Sequence, residues 1–119
     1  MKNQPFLNKI QFSLNGIKAA YKTEKSFRTQ IVFSFLSILL LIIIRPKAIW
    51  VGIFLLSNAL VIGTELINTA IEATLDQIHP EKHPLVAKAK DCAAGAVFVA
   101  SVGTIGVLGA IIYDTFFSF

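Results

Sequence analysis

Glu65, Asn68, Glu72 and Asp76 close a long apolar run in the stretch TELINTAIEATLDQ, residues 64–77. They are the side chains in this sequence best suited to chemistry. On a helix turning about 100° per residue, Asn68, Glu72 and Asp76 fall at about −60°, −20° and +20° from Glu65, so all project from one narrow face. Carboxylates gathered in this way repel one another unless a cation or a proton intervenes. Hard oxygen donors joined by phosphate are the usual surroundings of Mg²⁺. Apolar residues flank Glu65 and Glu72. Ionisable groups in such a setting are retained where they face a wet or protein-lined cavity. Plainer roles exist beside this one. Water can solvate Asp76 and Glu81 near the helix end, and Asn68 can be helix–helix glue.

The chain has seven acidic residues, and Glu24, Glu65, Glu72, Asp76, Glu81 and Asp91 share one level, leaving Asp114 alone on the far side. Lys90 and Asp91, opening the last apolar run, suit an interfacial anchor and a first-turn acid, or a phosphate and its metal. His79 and His83 are four residues apart, but Pro80 interrupts the helix that would align them as ligands. GTIGVLG at 103–109 superficially resembles a phosphate loop. It lies in mid-membrane with no lysine after it, so close helix packing is expected there. The sequence contains no Walker-type loop, protein-kinase motif or nucleophile elbow. Cys92 is the only cysteine, which excludes a disulfide framework and a zinc cluster of cysteine pairs.

The elements that must position these groups follow from composition. With 119 residues the chain is read as one domain, 1–119, and 55% hydrophobic against 15% charged residues implies lipid contact. The formal charge of +4 resides in lysines and arginines that flank apolar segments, which suits anionic headgroups and not nucleic acid. The N-terminus is too polar to hold the apolar core of a signal peptide. Phe6, Ile10, Leu14, Ile17 and Tyr21 recur at helical spacing among polar residues. They predict an amphipathic helix on the bilayer surface over about residues 6–25. Three spans are expected over about 27–44, 48–67 with its helix continuing to about 78, and 93–113. Arg28 would snorkel from the first of these. The fold class is therefore an all-α membrane protein, with an N-terminal surface helix and three transmembrane helices. Lys2, Lys9, Lys18, Lys22, Lys25 and Arg28 precede the first span, and Lys82, Lys88 and Lys90 lie between the second and third. Only Arg45 and Lys47 lie opposite, so the N-terminus is expected in the cytoplasm and the C-terminus outside.

ELINTAIEATLD at 65–76 resembles the signature of the prokaryotic diacylglycerol kinase family, E-x-x-N-[ST]-[SA]-[IV]-E-x-x-x-D, at every fixed position. This family comprises small integral-membrane lipid kinases and includes undecaprenol kinases. AKD at 89–91, the AAGAV after Cys92, and KAAYKTEKSFR at 18–28 are also similar to it. The resemblance implies homotrimers in the bacterial cytoplasmic membrane, with active sites shared between subunits. It also implies ATP as co-substrate, Mg²⁺ as cofactor and a membrane lipid as acceptor. Glu65 would accept the proton of the lipid hydroxyl, with Asn68 orienting that carboxylate. Glu24 and Glu72 would hold the metal and with it the nucleotide. Glu81, Lys82, His83, Lys90 and Asp91 would contact the nucleotide, and Asp76 would support the site. Ser13, Lys18 and Arg28 would join Glu65 around the lipid.

Some positions depart from the family pattern. Gln30 stands where many members have an acid, and Pro5 and Lys9 occupy a region where enteric-type proteins carry an arginine. Phe12 replaces a tyrosine associated with the nucleotide site. The expected reaction is diacylglycerol to phosphatidic acid, with undecaprenol phosphorylation as the alternative within the family. A non-catalytic channel or assembly subunit is the competitor from another class. It would need polar groups along the full depth of the spans, where spans one and three offer only small hydroxyls and glycines.

Overall fold

A single extended residue, one proline turn and one proline-rich loop divide the chain into four helices. The protein is seen here in a computed structural model that describes residues 5–118. Lys2, counted above for orientation, lies outside them. The helices are α1 (Phe6–Thr23), α2 (Lys25–Ile44), α3 (Ala48–Ile78) and α4 (Pro84–Phe116), with no strand among the described residues. The last three are long and apolar enough to cross a membrane. At 31 and 33 residues, α3 and α4 run about 46 and 50 Å, well past a hydrocarbon core of about 30 Å.

The surface helix stops two residues short of the expected end. Glu24 is extended (φ −111°, ψ 110°), and α2 starts immediately after it. Arg28 secures this joint, its Nη1 donating to the carbonyls of Tyr21 at 2.8 Å and Lys22 at 3.1 Å. Both carbonyls belong to the last turn of α1, which has no intrahelical partners for them, and a cation there also suits the helix dipole. Phe6, Leu7, Ile10, Leu14 and Ile17 remain exposed along α1, an apolar stripe free to meet a lipid surface.

At the far end of α2, Arg45 adopts the left-handed conformation (φ 56°, ψ 59°) and its N–H closes the helix on Leu41 O at 2.9 Å. Pro46 then prevents any continuation. The loop 79–83 leads into α4 earlier than the apolar pattern suggests. Pro84 occupies the first helical turn, and Leu85 N–H donates to His83 Nδ1 at 3.1 Å. A proline at that position lacks only an N–H that would have no partner anyway, so Pro84 opens the helix. The polar segment 84–92 is thus helical, continuous with the apolar run that follows.

α3 and α4 pack against each other most extensively, with α2 alongside. On α3 the inward positions are Trp50, Phe54, Ser57, Val61, Glu65, Asn68 and Glu72, at steps of three and four. On α4 they are Ala93, Val97, Ala100, Thr104, Val107 and Ile111. Lipid tails are as apolar as leucine, so such a seam depends on close packing and on paired polar groups. Leu41, Phe54 and Ile111 form a buried cluster with Trp50, Val107 and Leu108. Ser57 and Thr104 hydroxyls meet at 2.6 Å, Ser34 Oγ donates to Asn58 Oδ1 at 2.7 Å, and Gln30 Nε2 reaches Ser101 Oγ at 3.5 Å. The first span therefore carries one amide, Gln30, beyond the small hydroxyls expected of it, and this amide and Asn58 of the second span both bond across helices.

Within the single chain the glycine stripe of α4 faces outward. Gly103, Gly106 and Gly109 are exposed, and a Cβ added at any of them would meet nothing within 4 Å. Close packing uses the opposite face, where Ala93 and Ala100 are buried. At the far end Trp50 Nε1 donates to Asp114 Oδ2 at 2.9 Å, and Lys47 Nζ lies 3.9 Å from the same oxygen. That clasp accounts for the acid that stands apart from the rest.

Candidate active site

The inward stripe of α3 begins as a packing surface and ends as a polar one. Val61 is buried, and the next turns put Glu65 (3% exposed) and Asn68 (9%) in the same shielded position. Further along, Glu72 is half-buried and Asp76 exposed, so the row runs from interior to water. One helical stripe thus supplies the common face expected of these residues.

Each polar group on that row has a definite partner. Glu65 Oε1 accepts a hydrogen bond from Ser26 Oγ at 3.0 Å, which ties the first turn of α2 to α3. Asn68 Nδ2 donates to Glu72 Oε1 at 3.3 Å, one turn along. Asp76 pairs with Lys90 Nζ of α4 at the exposed end. The amide expected on Glu65 thus reaches Glu72, and a serine takes its place. Asn68 Oδ1 is buried without a hydrogen-bond partner. Flipping the amide would not help, because an oxygen would then face the Glu72 carboxylate.

One cleft opens on this row, and a second is lined by Lys90, the partner of its last member. The first, about 480 Å³, is walled by Ser26 and Gln30 of α2, Glu65 and Asn68 of α3, and Ala94, Phe98 and Ser101 of α4. The second, about 470 Å³, is lined by His79, Glu81, Lys82 and His83 of the loop and by Lys90 of α4. The loop positions expected around a nucleotide thus share one concavity. Within it His79 Nδ1 lies 3.0 Å from Glu81 O, and the two histidine rings meet edge to face at 5.4 Å. Lys90 belongs to both systems, lining the loop cleft while paired to Asp76. From Glu65 to Asp76 the row spans about 16 Å along α3.

Other expected residues stand apart from these clefts. Asp91 is exposed beside Lys90. Phe12, Ser13 and Lys18 are exposed on α1 and do not wall the Glu65 cleft; the Ser13 hydroxyl is turned back to Lys9 O at 2.9 Å. Arg28 is engaged with the α1 carbonyls described above, and Glu24 is half-buried at the α1–α2 joint. Sequence reasoning passed over Ser26 and Ser101. Ser26 lies inside the quoted segment KAAYKTEKSFR, but only a contact between helices distinguishes it from its neighbours.

Among the described residues no three His, Cys, Asp or Glu side chains converge as a ready metal cage. This donor chemistry still fits Mg²⁺, which is commonly held by one or two carboxylates together with substrate phosphates. Glu72, steadied by Asn68, offers one such carboxylate.

A bundle of spanning helices that turns a carboxylate and an amide inward at one end defines a multi-pass membrane protein with a polar site at its boundary. The model of the family described as prokaryotic diacylglycerol kinase matches residues 11–112. The chain is 34% identical over 94 residues to the diacylglycerol kinase of Haemophilus influenzae, covering 79% of this chain and 80% of that one. It is 40% identical over 98 residues to the diacylglycerol kinase of Pseudomonas aeruginosa, covering 79% and 76%. With that of Escherichia coli K12 it shares 34% over 91 residues, covering 76% and 75%. The chain belongs to the prokaryotic diacylglycerol kinase family. It is a membrane-embedded lipid kinase, and a kinase takes its phosphoryl group from a nucleotide.

Proposed function

We propose that the chain transfers the γ-phosphoryl group of ATP to the hydroxyl of diacylglycerol at the cytoplasmic face, giving phosphatidic acid and ADP. The observation that carries this reading is Glu65, a buried carboxylate held by a single hydroxyl at the wall of a cleft opening among spanning helices. In this reading the lipid hydroxyl enters that cleft and Glu65 takes its proton as the oxygen bonds to phosphorus. The bond to the ADP oxygen breaks in the same displacement. Phosphoryl transfer depends mainly on alignment and charge neutralisation, so a well-placed carboxylate suffices as the proton acceptor.

Glu72 and Glu24 hold Mg²⁺ in this proposal. The metal, when bound, neutralises phosphate charge. Lys90, Asp91 and the loop residues Glu81, Lys82 and His83 bind the nucleotide, while Asp76 keeps Lys90 in place until phosphate arrives. Phe12 contributes to the nucleotide side. Ser13 and Lys18 contact the acceptor lipid from the surface helix, and Arg28 holds the joint beneath it.

The chain works as one domain in the bacterial cytoplasmic membrane, with 27–44, 48–67 and 93–113 in the bilayer. The N-terminus is cytoplasmic and the C-terminus outside. A homotrimer with shared sites would cover the half-buried Glu24 and Glu72 and enclose carboxylates that one three-span bundle leaves partly open. The names of the relatives favour diacylglycerol over undecaprenol as acceptor. Purified protein given labelled ATP, Mg²⁺ and both lipids in mixed micelles should label diacylglycerol preferentially. Preferential labelling of undecaprenol would reverse the substrate assignment, and labelling of neither would remove the kinase reading itself.

A further inference from the structure

We infer that Ser26 is a positioning residue for the reaction, fixing the Glu65 carboxylate against the acceptor hydroxyl. This deepens the kinase reading and rests on Glu65 as the proton acceptor. The hydroxyl of Ser26 donates to Glu65 Oε1 at 3.0 Å across the α2–α3 boundary. Glu65 is 3% exposed, so water reaches it poorly and its orientation depends on protein groups. Asn68, the other polar neighbour on the stripe, donates to Glu72. Ser26 is therefore the side chain that sets the rotation of the carboxylate, leaving Oε2 for the cleft that both residues wall.

A hydroxyl suits this task in both protonation states. It donates while Glu65 is a carboxylate. After Glu65 has taken the lipid proton on Oε2, Oε1 is a carbonyl oxygen and still accepts from the same hydroxyl. The carboxyl group stays in place through the transfer while phosphorus receives the lipid oxygen. Serine near a helix start often bonds to its own backbone. Here the hydroxyl instead crosses to another helix. Ser26 also lies two residues beyond Glu24, so one contact links the α1–α2 joint to the base.

The test compares Ser26→Ala with the near-isosteric pair Ser26→Thr and Ser26→Val, measured in mixed micelles for kcat, for KM of lipid and of ATP, and for thermal unfolding. Ser26→Ala should lower kcat by about ten- to a hundredfold, the range expected when a reacting group loses its orientation. KM for ATP should stay within about twofold and KM for lipid should change far less than kcat, since the bond acts on the reacting carboxylate. Threonine should retain most of the parent kcat and valine should match alanine, so that a packing change common to the pair cancels. An active parent matched by Ser26→Ala, or threonine and valine equal in kcat, overturns the proposal while leaving the kinase reading intact. A parent that labels no lipid overturns both.

Discussion

Asn68 and Glu72 sit one turn apart on α3, and the amide Nδ2 donates to Glu72 Oε1 at 3.3 Å while its own Oδ1 stays buried and unpaired. The amide thus holds a carboxylate at the edge of the interior and spends its second polar atom on no protein group. Outer partners of this kind orient metal ligands. Asn68→Ala should therefore raise the Mg²⁺ concentration for half-maximal rate by about tenfold or more, as losing such a partner does elsewhere. Glu72→Ala and Glu24→Ala should do at least as much. Rate against free Mg²⁺ for each variant is the measurement, and curves that superimpose on the parent remove the metal assignment.

Glu65→Gln keeps the size and a hydrogen-bonding oxygen for Ser26 but removes the ability to take a proton. Turnover should fall by about a hundred- to ten-thousandfold, the usual contribution of a general base. Nucleotide binding at equilibrium and thermal unfolding should change little. Near-normal turnover in the glutamine variant rules out proton acceptance at this position.

Lys90 and Asp76 form an ion pair whose side chains are 36% and 63% exposed. Pairs this open contribute at most about 1 kcal/mol to stability. Lys90→Ala should accordingly leave the unfolding temperature nearly unchanged while raising KM for ATP several-fold. Asp76→Asn frees the lysine and should affect KM less. If Lys90→Ala leaves ATP saturation as in the parent, the lysine does not bind the nucleotide.

Trp50, Lys47 and Asp114 meet at the end opposite the carboxylates. Trp50→Phe deletes the indole N–H that donates to Asp114 and should destabilise the bundle by about 1.5–3 kcal/mol, as expected for a hydrogen bond to a charged group. Specific activity of the folded fraction should be retained. Unfolding of both proteins in a graded denaturing detergent checks the first expectation and a lipid-kinase assay the second. A large loss of kcat would show that this end is coupled to the site.

The helices and the acidic face were legible because apolar run length and carboxylate spacing are written in the sequence. Which side of each span faces inward was not. α2 and α4 are apolar nearly all round, so periodicity assigns them no face. Within one chain the packing seam runs through Ala93 and Ala100, while Gly103, Gly106 and Gly109 face outward. α3 differs because Glu65, Asn68 and Glu72 mark one side, and the buried Phe54 and Val61 continue the same line. The joint between surface helix and first span was legible to within two residues, but its position at Glu24 was not, because a single extended residue leaves no proline or glycine behind. Ser26 was hidden because its partner lies 39 positions away on another helix.

One continuous line on α3 carries Phe54 and Val61 and then Glu65 and Asn68. The helix therefore has little freedom to change: rotating it to suit a bulkier acceptor would unseat the far-end cluster along with Glu65. On the proposed reading, adaptation to new lipids would fall to the flanking walls, at Gln30 on α2 and Phe98 on α4, which lie off that axis. A directed search for altered acceptor choice belongs at those two places, with α3 left as the fixed spine.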